Sequence, residues 1–385
     1  MNHIYTTRKT CRVCDGALDT VWDLGLQFIY SLKQNNAAPI TLTVCEKCEL
    51  VQLKHTVNPD MLYKDEYYYK SGVNKTMRAA LWDVVESAQR YVGMVVGDKV
   101  VDIGANDGTL LNNYPLAQTR VAFEPSSAGM DIPNSILWIK NYFSAAEYKK
   151  YFEKPAKVIT ACAMFYDLEN PLAFLQDVSK VLADDGVFII QMNYLKSMVD
   201  NCNFDSISHE HLCYYSIRDM IRLTKEAGLC IEDAELNQVN GGSIRLYIRR
   251  VSDKPIGQSD RIAQLREQER EWYEERIIQG RIADMRHRAE LICTDLFQLI
   301  KDKRACAVGA STRGYVILQL AGLELPLIDR NPDKVGRSLG NMIIKGEECI
   351  DDYEIGIVLP YHFMDEMVAR YKDKKIKLIN AIRPV

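Results

Sequence analysis

The 385-residue chain contains no run approaching the roughly 18 consecutive apolar residues that a membrane-spanning helix needs, so a transmembrane anchor is not expected. Its first residues, MNHIYTTRKT, hold no apolar core of a secretory signal, and the expectation is a cytoplasmic protein with reduced thiols. There is no basic excess: 48 Lys and Arg face 52 Asp and Glu, a net charge of −4. That balance argues against a protein whose main task is gripping nucleic acid or an anionic membrane, although local basic patches stay open. Low-complexity linkers and long internal repeats are also lacking, and histidine is scarce, with six copies. What is present, 47% hydrophobic and 26% charged residues, is the composition of a soluble globular protein. At about 100–200 residues per domain the length suggests two or three units.

Eleven cysteines stand out against this background. Seven are scattered singly and read as small buried hydrophobes. The other four form two C-x2-C pairs, Cys11/Cys14 and Cys45/Cys48, separated by 30 residues. Each pair can make a tight knuckle, and two knuckles supply four thiolates at tetrahedral geometry, the arrangement of a structural zinc site. Four protein ligands leave no open position, so this metal should hold a small N-terminal domain together and do no chemistry.

Leu50–Asn58 alternates like a strand, and the tyrosine cluster DEYYYKSG (65–72) precedes a helix expected from about 74 to 92. The cluster reads either as half-buried packing or as ligand contact. The segment KVVDIGANDGTLL (99–111) reads as a buried strand, a glycine turn and then a helix, the first βα unit of a doubly wound sheet. Its spacing is G-x-x-x-G, not the dinucleotide G-x-G-x-x-G, which makes an NAD-dependent oxidoreductase the poorer reading. The next strand ends at Glu124-Pro125, 20 residues after Gly104, where a carboxylate can accept from both hydroxyls of a ribose. An acidic loop disfavours pyrophosphate and suits S-adenosylmethionine, with its cationic sulfonium and amino group. Cofactor contacts are therefore expected from Asp102, Gly104, Ala105, Asn106, Gly108, Glu124 and Pro125, and from Ala163 after the next strand. Further strands over 157–163 and 186–192, with a helix over 171–182 between them, imply a mainly parallel sheet.

The loop beyond 186–192 carries His209-Glu210-His211, two of the six histidines. Ligands and chemistry collect along that sheet edge. Packing and a metal site compete with catalysis here, but His-x-His offers only two ligands. As an acid/base group, His211 could be oriented, and its pKa raised, by Glu210. From 253 to about 301 the sequence favours long helices that bridge to a second strand–turn–helix unit, Arg304–Gly314. There Ser311, Thr312 or Arg313 could receive phosphate oxygens, unless the turn is simply part of another α/β core.

Together the paired knuckles, CEKCELVQLKHTVNP, the Tyr67–Gly72 cluster, VVDIGANDGTLL, HEHLCYYS, GGSIR (241–245), VGASTRG (308–314), DRNPDKVGR (329–337) and LPYHF (359–363) resemble the S-adenosylmethionine-dependent sugar C-methyltransferase family. The resemblance runs over most of the chain. It implies an α/β protein with a zinc-ribbon-like N-terminal domain (1–70), a central Rossmann-like class I methyltransferase domain (71–250), and a helical bridge with a C-terminal Rossmann-like nucleotide-sugar-binding domain (251–385). It implies methylation of a dTDP- or GDP-linked keto-deoxysugar through an enolate, with His211 as base, Glu210 and His209 beside it, and Tyr69 or Tyr67 steadying the substrate. Substrate contacts are implied for Tyr214, Tyr215, Ser243, Arg245, Asp329, Arg330, Arg337 and His362, besides Ser311, Thr312 and Arg313. No nucleic-acid or membrane partner is expected, and the protein would act as a monomer or homodimer. Two departures stand out: Ser208 replaces a tyrosine common before HEH, and Met164 stands where a histidine is common. An O- or N-methyltransferase of the same cofactor class is the runner-up, and a non-catalytic zinc and nucleotide-binding module the reading from another class.

Overall fold

The protein is described by a computed structural model covering residues 4–33, 35–64, 69–251, 258–273 and 277–383. The N-terminal part forms β1 (Tyr5–Thr7), β2 (Leu18–Phe28), β3 (Ala37–Cys45), β4 (Val51–Leu53) and β5 (His55–Val57). The single strand expected over 50–58 is thus broken at Lys54, which lets β4 join β3 while β5 pairs with β1. Along β3 every residue from Ile40 to Cys45 is buried, Ile40, Leu42 and Val44 on one face and Thr41, Thr43 and Cys45 on the other, so this strand is covered on both faces.

The central part begins with α1 (Lys75–Tyr91), which buries Met77, Leu81, Val84, Val85 and Ala88, one stripe at helical spacing. Then come β6 (Lys99–Ile103), β7 (Thr119–Phe123), β8 (Leu137–Ile139), α2 (Ala145–Lys149), β9 (Ala156–Cys162), α3 (Pro171–Val181), β10 (Leu182–Asn193), α4 (Leu195–Asp200), β11 (Cys213–Tyr214), α5 (Ile217–Glu226), β12 (Leu229–Asn237) and β13 (Ser243–Arg250). Seven strands make one sheet in the order β12-β13-β10-β9-β6-β7-β8. From β10 to β8 the pairs are parallel, and their near-continuous apolar runs reflect burial on both faces. β13 and β12 close the edge antiparallel. Local signals set the helix starts: Asn170 caps α3 with Pro171 in its first turn, and Ser216 and Asp219 form a capping box on α5.

The helix expected after the glycine turn does not form. Residues 104–118 make only a single 3-10 turn at Leu111–Asn113, because Asn112, Asn113 and Pro115 arrive before a helix can propagate. A second finding crosses the expected domain boundary: β11, from the HEH segment, pairs antiparallel with β4 of the N-terminal sheet, Cys213 opposite Gln52.

The bridge consists of α6 (Asp260–Arg270) and α7 (Ile277–Ile300). Glu269 of α6 accepts from the amides of Ile217 and Arg218 at the start of α5, which ties this helix to the central part. The C-terminal part contains β14 (Ala305–Val308), α8 (Thr312–Leu320), β15 (Leu327–Ile328), β16 (Ser338–Leu339), β17 (Met342–Lys345), β18 (Ile355–Val358), α9 (Met364–Arg370) and β19 (Lys377–Asn380). Its six strands run β16-β17-β15-β14-β18-β19, parallel except for the β16–β17 pair. No described helix is long and apolar enough to cross a membrane.

Candidate active site

The three parts enclose a cavity of about 1030 Å³. That is at the upper end of ordinary ligand pockets and leaves room for a cofactor with a second molecule beside it. Its walls include Tyr30, Thr56 and Tyr63 from the N-terminal part, the carboxyl ends of β6, β7 and β9, the HEH segment, and the ends of β14, β15 and β18.

On the central wall β6 breaks at Gly104, with φ +70°, and Asn106 and Gly108 also adopt positive φ. This left-handed backbone turns main-chain groups toward the next strand end. Glu124 there accepts from the Asn106 amide at 2.8 Å and from the Ser126 amide at 2.7 Å. Asn106 also reaches the tyrosine cluster, donating to the Tyr69 carbonyl and accepting from the Ser71 amide. Asp102, near the end of β6, also lines the cavity; Thr160 donates to it at 2.6 Å, and burial pushes its carboxyl up to about 7. Ala105 and Pro125 line the same wall. Ala163, which follows β9, lines it too and holds φ +54°, an uncommon conformation for a residue with a Cβ.

The HEH segment is oriented differently from expectation. His209 bonds the Ala38 carbonyl of the N-terminal sheet at 2.9 Å, and burial lowers its pKa to about 4. His211 Nδ1 lies 2.8 Å from the Ser206 carbonyl. A carbonyl only accepts, so Nδ1 carries the proton and Nε2 keeps its lone pair. Burial, and then the charge of Arg313, lowers His211 to about 3. Glu210 does not raise it: its carboxylate accepts from Thr312 Oγ1 at 3.2 Å, and burial pushes it up to about 7. Met164 lines the cavity beside Gly104, whereas Ser208 is buried off the wall.

In the C-terminal wall Gly309 has φ +92°, and Asp329 accepts from the Ala310 amide at 2.8 Å. Ser311 caps α8 by accepting from the Gly314 amide. Thr312, Ser243 and His362 also line the cavity. Arg313 lines it too, and its guanidinium donates to Asp205 (2.7 Å), the Asn240 carbonyl (2.7 Å) and Tyr361 (2.9 Å). Arg330 also lines the cavity and bonds the Val73 carbonyl and Asn74.

Other expected contacts lie off the wall. Tyr214 and Tyr215 are buried, Tyr214 donating to the Ser206 carbonyl and Tyr215 packing on Phe165. Arg245 is buried between Gln191 and Asp83. Gly108 and Arg337 stand outside the lining, Gly108 because it packs toward Ile132 and Pro133, Arg337 because it lies in the turn before β16. Tyr67 lies outside the described residues. Sequence reasoning missed Asp167, a cavity-lining carboxyl that burial raises well above its usual range, and Asp205, whose bond to Arg313 joins distant segments. An acid three residues past Met164 was the available signal for the first; the second had none.

Away from the cavity, Cys11, Cys14, Cys45 and Cys48 bring their sulfurs within 4.8 Å of one another. Cys11 and Cys48 are 3.7 Å apart and Cys14 and Cys45 3.4 Å. Tetrahedral zinc with bonds of about 2.3 Å sets sulfurs about 3.8 Å apart, so the cluster fits that ion.

Three family models match in order: a putative zinc binding domain over residues 11–63, a methyltransferase domain over 74–234 and a C-methyltransferase C-terminal domain over 238–384. The C-methyltransferase NovU of Streptomyces niveus is 28% identical over 214 residues, 54% of this chain and 51% of that protein, so the match spans about half of the relative. Among solved structures, an S-adenosylmethionine-dependent methyltransferase from Clostridium acetobutylicum is 14% identical at a TM-score of 0.37, covering 47% of this chain and 93% of that one. The mitomycin 7-O-methyltransferase MmcR is 15% identical at 0.36, covering 45% and 53%. The matched series defines a protein of the methyltransferase class. The three matches follow one another along residues 11–384 of the chain.

Proposed function

We propose that the protein transfers a methyl group from S-adenosylmethionine to a carbon of a dTDP- or GDP-linked keto-deoxysugar. One observation carries the reading: the glycine turn with Glu124, the Glu210–His211 pair and the Gly309 turn all line the same cavity. The name of the Streptomyces relative supports carbon as the acceptor. Gly104, Ala105, Asn106 and Glu124 would hold the cofactor, which when bound supplies an electrophilic methyl group. Residues 1–70 would form the metal-held domain, 71–250 the cofactor domain and 251–385 the bridge and nucleotide-sugar domain, with zinc purely structural.

A carbon nucleophile requires loss of a proton beside the ketone. Glu210, held near 7, is partly ionised at neutral pH and is the stronger base of the pair; His211, held near 3, is neutral but weak. Glu210 therefore takes the proton, and His211 Nε2 accepts a hydrogen bond from a sugar hydroxyl. Tyr69 lines the cavity, and desolvation pushes its hydroxyl up to about 12, so it stays protonated and can donate to the oxygen on which charge develops.

Solvent deuterium exchange at the sugar carbon tests this. Wild type should exchange and Glu210→Gln should not, while His211→Ala should weaken sugar binding. Methyl transfer without exchange in wild type would point to oxygen or nitrogen and overturn the reading.

A further inference from the structure

The first knuckle contains a residue that the metal does not use. Arg12 sits between Cys11 and Cys14 with its side chain fully buried, 0% exposed. Its guanidinium donates to the Leu53 carbonyl, to Thr56 Oγ1 at 2.7 Å and to Glu169 Oε2 at 3.1 Å. Thr56 donates to the same Glu169 oxygen at 2.7 Å. On the other side Gln52 donates to Cys11 Sγ at 3.1 Å while accepting from the Arg12 amide at 3.0 Å. An unbroken chain of bonds thus leads from a cysteine of the cluster to Glu169.

Glu169 belongs to the central part and ends the segment after β9, in which Ala163, Met164, Tyr166 and Asp167 line the cavity. We infer that Arg12 and Glu169 form a strut through which the metal knuckle positions this cavity wall. The knuckle fixes the Arg12 backbone, and the rigid guanidinium fork, satisfied on several sides, transmits that position to Glu169. Both are positioning residues, since neither is placed against the reacting atoms. Loss of the metal frees the knuckle and, through it, the 163–169 segment.

The inference rests on zinc occupying the four-cysteine cluster, so zinc is counted by mass spectrometry in every sample. The full chain is examined by hydrogen exchange of residues 163–170 and by calorimetric binding of S-adenosylhomocysteine. Glu169→Ala should keep one zinc per chain yet speed exchange in 163–170 and weaken binding by about tenfold, the scale of outer-shell effects at metal sites. Stripping zinc from wild type with a chelator should speed exchange in the same segment. Arg12→Met should behave like Glu169→Ala; if it fails to fold, Glu169→Ala still decides, because the Glu169 side chain is 43% exposed and contacts no cysteine in these bonds. Unchanged exchange in Glu169→Ala overturns the strut. Protein purified without zinc, but with the Glu169→Ala effect intact, overturns the metal's part alone.

Discussion

Glu124 in the central sheet and Asp329 in the C-terminal sheet hold their turns with the same bonds. Each carboxylate accepts one amide from the turn after the first strand of its unit, Asn106 or Ala310, and one from two residues further on, Ser126 or Asn331. The two sites differ in charge. Lys334 stands 3.7 Å from Asp329 and donates to the Ala310 carbonyl, whereas no ion pair forms at Glu124 among the described residues. An uncompensated carboxylate suits a cationic ligand, and a balanced pair suits a polar or anionic one. Under the proposed function, one backbone device would serve two kinds of ligand.

The largest expected break is Glu124→Ala, which removes both amide acceptors: S-adenosylhomocysteine affinity should fall about 100-fold, roughly 3 kcal/mol, by calorimetry. Asp329→Ala should leave that affinity near wild type and raise KM for the nucleotide-sugar by about tenfold; equal loss of both ligands would erase the proposed division. The turns can also be compared by stability. A Cβ on Gly309 would meet Pro360 at 2.7 Å, and one on Gly104 would meet the flexible Met164 side chain at 3.2 Å. Gly309→Ala should therefore cost more, about 1–3 kcal/mol in chemical denaturation, than Gly104→Ala. The smallest effect is in pH. Because burial raises Glu210 to about 7, its proton-accepting form grows as pH rises through that value. Wild-type kcat/KM should rise by several fold from about pH 6 to 8 and level off, and Glu210→Gln should show no such rise.

Much of the fold was legible because its signals are local. The cysteine spacing, the apolar stripe of α1, the caps of α3 and α5 and the carboxylate 20 residues after Gly104 all follow from neighbouring residues. The missing helix after the glycine turn was legible too, in Asn112, Asn113 and Pro115, but the expectation followed the general βα pattern. The fate of Arg313 was not legible, because its partners Asp205, Asn240 and Tyr361 are far apart in sequence.

By itself the sequence determined the types of chemistry available: four thiols at metal spacing, a left-handed glycine turn, and a histidine–glutamate segment beyond a buried strand. Those depend on residue identity and short spacing. The tertiary structure alone decided which groups are spent and which stay available. It turned His211 to the Ser206 carbonyl and Glu210 to Thr312, joined Arg313 to Asp205, and raised one carboxyl while lowering one imidazole by burying both. Partner and solvent access are properties of packing, and packing joins residues that the chain keeps far apart.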